Sequence, residues 1–69
     1  MTDHVYKLVE LAGTSPVSPQ HAIENAVARA NETLRNVRWF EVQQIRGVVD
    51  NGAVTHWQVG LKIGFTLDT

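Results

Sequence analysis

The sequence predicts an α+β fold of order βαββ, a three-stranded antiparallel sheet with one helix packed on one face. Three observations point there. Ile23, Ala26, Val27, Ala30 and Leu34 recur at helical spacing. Val54 to Leu67 alternates apolar and polar residues almost strictly, the pattern of a strand with one buried face. Between that run and the apolar run before it lies Asp50-Asn51-Gly52-Ala53, a type I′ hairpin signal, because both central residues must take positive φ. Residues 1–69 read as a single domain, with no repeat or linker.

The elements follow in order. Val5 to Leu11 is β-branched and apolar enough for a first strand, with Val5, Lys7, Val9 and Leu11 on one side and Tyr6 and Leu8 on the other. Gly13-Thr14-Ser15-Pro16 is read as its end. Ser18-Pro19 starts a helix: the Ser hydroxyl can accept from an orphan N–H, and Pro suits the first helical position. Glu24, Arg29, Glu32 and Arg35 avoid the apolar stripe, and the helix is expected to end near Asn36. Val37 to Val49 is a long second strand, and Val54 to Leu67 returns beside it. The natural arrangement is one sheet with the helix across a face.

A two-residue turn fixes the hairpin register. With Asp50 opposite Ala53, an unbroken count pairs Phe40 with Ile63, Val42 with Leu61 and Gln44 with Val59 on the side the helix should cover. The other side pairs Trp39 with Gly64, Glu41 with Lys62, Gln43 with Gly60 and Ile45 with Gln58. A bulge would shift these pairs. Trp39 thus points away from the helix, beside glycines that cannot crowd an indole. That placement suits a subunit interface or a site for a flat ligand. Gln58 shares the face, about 20 Å along the strand at ~3.4 Å per residue, so one chain alone does not bring the two together. Its amide offers both donor and acceptor, as the edge of a planar heterocycle requires, although a solvated strand position needs the same residue.

Size and charge narrow the function. Sixteen of the thirty hydrophobic residues are only Ala or Val, a thin core for 69 residues. Chains this short usually add disulfides, a metal or oligomerisation. There is no Cys, so oligomerisation is the expected support. The net charge is −1 with no basic block, which argues against nucleic-acid binding. No apolar run approaches the ~20 residues of a membrane span. Met1-Thr2-Asp3-His4 lacks a signal-peptide pattern, so a cytoplasmic protein is expected. His4, His21 and His56 have no ligand spacing, so no metal site is expected. His21 reads as a solvated helix residue and His56 as interfacial. Ser15 and Ser18 read as turn and cap rather than nucleophiles, and Gly13-Thr14-Ser15 lacks the second Gly and the Lys of a P-loop. No catalytic constellation emerges, and the chain is not expected to be an enzyme.

Val5-Tyr6-Lys7, Gly13-Thr14-Ser15, Ala22-Ile23, Thr33-Leu34-Arg35-Asn36, Trp39-Phe40-Glu41-Val42, Arg46-Gly47, His56-Trp57-Gln58-Val59 and Gly64-Phe65 follow one another in the order of the dodecin family. The chain resembles dodecins over nearly its whole length. The resemblance implies a βαββ protomer assembling into a hollow homododecamer. It implies flavins bound in pairs, stacked between tryptophans of symmetry-related subunits, with Trp39 matching that tryptophan. Gln58 matches the glutamine that bonds the pyrimidine edge of the ring, and Arg46 an arginine near the site. It implies storage and buffering of FMN or riboflavin and quenching of their photoreactivity, with coenzyme A as a further ligand in some members. Thr66 departs from the pattern: many bacterial dodecins carry Arg there. A cationic contact to phosphate is lost, which leaves the preference between FMN and riboflavin, and coenzyme A binding, open. Trp57, where the family often has Tyr or Phe, falls on the helix-covered side and reads as core or interface. The competing expectation is an oligomeric coenzyme A or nucleotide carrier.

Overall fold

A computed structural model describes residues 3–67. Met1 and Thr2, half of the segment read for a signal peptide, lie outside the described residues. The order is β1 (Tyr6–Ser15), α1 (Pro19–Thr33), β2 (Val37–Asp50) and β3 (Ala53–Thr66). They form one antiparallel sheet in the order β1-β3-β2, with α1 on one face. Among the described residues, no helix is long and apolar enough to cross a membrane.

β1 runs through Gly13 and Thr14 to Ser15, where the sequence reading ended it. The Gly stays in the strand because α1 crosses there. A Cβ at Gly13 would collide with the Ala22 carbonyl oxygen and come within 2.9 Å of the Ala26 Cβ. A strand glycine here marks close backbone approach rather than a break.

α1 begins as expected. Ser18 is the N-cap, its Oγ accepting from the His21 N–H at 3.0 Å, and Pro19 follows. The helix stops at Thr33, short of the expected Asn36. The Leu34 N–H still donates to Ala30, but Leu34 is itself extended, and Asn36 turns the chain at φ 62°. Ala22, Ala26 and Ala30 form the buried face of the helix, so it lies close on the sheet. They pack with Val59, Leu61 and Ile63 of the central strand, which complete the core. The small residues that make the core thin also let the helix approach.

The Asn51-Gly52 turn has the predicted positive φ at both positions. The hairpin register, however, carries three irregularities. Arg38 is an extra residue on β2 between Val37, opposite Phe65, and Trp39, opposite Gly64. Gln43 is a second, between Val42 opposite Leu61 and Gln44 opposite Gly60. Thr55 is the third, on β3 between the Val48–His56 and Val49–Val54 pairs. The expected Trp39–Gly64, Phe40–Ile63, Glu41–Lys62 and Val42–Leu61 pairs hold. The expected Gln43–Gly60, Gln44–Val59 and Ile45–Gln58 pairs do not. Gln44 faces Gly60, Ile45 faces Val59 and Arg46 faces Gln58. A one-residue slip sends each side chain of the segment to the other face. Ile45 therefore belongs to the helix side, and Gln44 and Arg46 to the side of Trp39.

The helix also covers less than expected. It lies over β1 and β3, leaving the helix-side residues of β2 open. Phe40 is 47% exposed and Ile45 55%. The hairpin overhangs the helix, so the Cα radius of gyration is 14.3 Å, against about 11 Å for a compact chain of this length.

Candidate functional site

The uncovered sheet face is built from alternate residues of all three strands. Tyr6, Leu8, Glu10, Ala12 and Thr14 of β1 oppose Thr66, Gly64, Lys62, Gly60 and Gln58 of β3. Across β3, β2 contributes Trp39 opposite Gly64, Glu41 opposite Lys62, Gln44 opposite Gly60 and Arg46 opposite Gln58.

One end of this face is aromatic. The Arg38 irregularity lets Val37 pack toward the core while Trp39 points outward, a re-aiming typical of bulges. The indole lies across Gly64. A Cβ there would strike Trp39 Cε2 and Cζ2 and come within 2.7 Å of Cδ2. One indole face thus rests on strand backbone, and the side chain remains 37% exposed. Tyr6 reaches the same indole from β1, ring centroids 5.8 Å apart and planes inclined 59°. Gly64 and Thr66 are buried beneath this aromatic pair.

The other end is polar. Arg46 Nη2 donates to Gln44 Oε1, which holds the guanidinium along the sheet beside Gln58. A hollow of about 520 Å³ opens over Ala12 and Gly60, walled by Glu10, Gln43, Gln44 and Arg46. The small floor residues leave the space, and the amide and guanidinium groups supply donors and acceptors at its rim.

Of the sequence-predicted site residues, the chain brings Arg46 and Gln58 together as a cross-strand pair and keeps Trp39 apart. The rung of Trp39, at Gly64, lies six residue steps along β3 from Gln58, about 20 Å along a strand. Sequence reasoning missed Gln44 and Tyr6 as site members. Gln44 was hidden by the bulge at Gln43. Tyr6 was hidden because β1 and β3 are not joined by a short turn, so no loop length sets their register. The alternation in both strands was the available signal.

The remaining candidates are structural. Ser15 Oγ is buried, accepts from the Val17 N–H at 2.9 Å and bonds His21 Nδ1 at 2.7 Å, so it ties the loop to α1. His21 is exposed, as expected, but pinned by that bond. Trp57 pairs with Ser15 and Gly47 on the helix side, half-buried, as its parity predicted. Among the described residues, no three His, Asp or Glu side chains converge to hold a metal ion.

This geometry can be set against known proteins. The family model described as Dodecin matches residues 5–68. The dodecin of Thermus thermophilus is 50% identical over 64 residues, covering 93% of each chain. Calcium dodecin of Mycobacterium tuberculosis is 30% identical over 63 residues, covering 91% of this chain and 89% of that one. Among solved structures, the dodecin of Streptomyces coelicolor superposes with a TM-score of 0.93 at 52% identity, covering 100% of this chain and 99% of that one. Family model, full-length relatives and superposed backbone agree, and the chain belongs to the dodecin family.

Proposed function

We propose that this chain is a flavin-binding storage protein that holds FMN or riboflavin against Trp39 and quenches its photoreactivity. The carrying observation is the Trp39 indole laid flat on Gly64 with its outer face open to a planar ligand. Stacking on an indole adds about 0.5–1.5 kcal/mol beyond the buried area. An electron-rich indole in contact with an excited flavin can return it to the ground state by transferring an electron and taking it back.

The polar end would serve the ring edge. Gln58 would pair with the pyrimidine carbonyl and N–H groups, and Arg46, steadied by Gln44, would lie close by. Since Trp39 stands about 20 Å away on the same strand, both ends serve one ligand when a second protomer faces the first. Homo-oligomerisation, with a dodecamer as the family-like form, is therefore part of the reading. Membership in the dodecin family supports it.

Titration of the purified protein with FMN and with riboflavin is the test. Flavin fluorescence should be quenched on binding, and Trp39→Ala should weaken affinity about 10-fold or more, equivalent to about 1.4 kcal/mol. A protein that leaves flavin fluorescence unchanged, or a Trp39→Ala variant that binds and quenches like the parent, would sink the reading.

A further inference from the structure

We propose that Tyr6 is a positioning residue of the stacking site: it holds the Trp39 indole flat on Gly64 and bounds the platform on one side. This rests on the reading of Trp39 as a flavin platform and adds a residue to it. Three observations carry it. The Tyr6 ring meets the indole at 5.8 Å and 59°, a tilted geometry within the preferred range for aromatic pairs. The two side chains come from the two outer strands and meet over the central one, where Gly64 and Thr66 supply little bulk. Tyr6 is 42% exposed and no part of the buried core, so the indole is its aromatic contact on the sheet face and its ring borders the open side of the platform.

With Gly64 as its floor, the indole has one free face. A side chain that swung out from the sheet would offer a ligand two faces and no fixed plane. Tyr6 stands against the indole on the side away from β2 and opposes that swing. Its inclined ring also forms a wall beside the free face. A planar ligand sliding toward β1 meets this wall, which fixes where its ring centre comes to rest. The work is done by the ring and not by the hydroxyl, so Phe should substitute for Tyr.

The test uses the intact assembled protein in a Trp57→Phe background, so that Trp39 is the reporting indole. Tyr6→Phe, Tyr6→Leu and Tyr6→Ala are compared for near-UV circular dichroism and Trp39 fluorescence anisotropy without ligand, and then for riboflavin and FMN affinity. Tyr6→Phe should retain the near-UV signal and bind within about twofold of the parent. Tyr6→Leu, which keeps an apolar side chain on the strand, and Tyr6→Ala should lower the anisotropy and weaken both flavins at least about fivefold. Tyr6→Leu decides the matter if Tyr6→Ala fails to fold. Unchanged anisotropy together with parent-like affinity in Tyr6→Leu overturns the proposal. If the parent ignores both flavins, the flavin reading falls, and the ligand-free signals still decide whether Tyr6 holds the indole.

Discussion

Two glycines show how single atoms separate stability from function. At Gly13 an added Cβ would meet the Ala22 carbonyl, which is helix backbone, and the Ala26 Cβ. Neither can swing aside, so Gly13→Ala should destabilise the protomer by about 3 kcal/mol, the upper end of overpacking costs. Urea denaturation measures this. At Gly64 the obstacle is the Trp39 ring on an open face, which can rotate away. Gly64→Ala should therefore cost about 1 kcal/mol, the lower end of overpacking costs, because a partly exposed ring relaxes where packed helix backbone does not. It should nevertheless abolish flavin quenching, because the indole loses its floor. A Gly64→Ala protein as stable as the parent that still quenches would refute the placement of Trp39. Ser18→Ala removes the N-cap acceptor and should cost about 1 kcal/mol in the same denaturation experiment.

At the scale of elements, β2 is where function is set. The irregularity at Gln43 carries Arg46 from the helix side to the side of Gln58, and that at Thr55 restores the register before the turn. Deleting Gln43 removes the extra residue and should leave Ile45 opposite Val59 and Arg46 opposite Gln58. Far-UV circular dichroism and flavin affinity should both be retained. A lost affinity would show that the bulge itself shapes the site. The same sheet face carries Glu10, Lys62 and Glu41 on one rung. Lys62 occupies the central position of that rung, so the strands place a cationic residue, not a third carboxylate, where a divalent cation would need oxygen ligands. Calcium at millimolar concentration should accordingly leave the melting temperature unchanged. A rise would reveal a cation site built by assembly.

At the scale of the molecule, apolar surface remains on both sides of the sheet. Phe40, Val42 and Ile45 lie bare on the helix side of β2, and Tyr6, Leu8 and Trp39 on the other side. An apolar groove between α1 and β2, lined by Ile23, Val27, Ala28 and Phe40, adds to it. A monomer would leave all of this in water, at ~25 cal/mol for each Å² that could be buried. Association should therefore carry much of the stability. The melting temperature should rise with protein concentration, as for any assembly whose folded form is the bound form. Size-exclusion chromatography should show a particle many times the 7.7 kDa chain. A stable monomer would contradict both this prediction and the shared ligand site.

Local chemistry made much of this legible in the chain itself. The Ser18-Pro19 cap and the Asn51-Gly52 turn act over a few residues and stand where the sequence put them, while the helical stripe and the alternation of β3 hold up to Leu34, which is already extended, and from His56 on, past the irregularity at Thr55. The outward aim of Trp39 followed from turn and parity alone. Longer-range features were not legible. Whether Gly13 ends a strand or lets a helix cross it depends on where α1 lies, which no nearby residue dictates. The bulges at Arg38, Gln43 and Thr55 have no single-residue signature. They arise where two twisted strands must match packing on both faces at once. Such matching is a property of the folded pair, so only the tertiary structure placed Arg46 beside Gln58 and Tyr6 against Trp39.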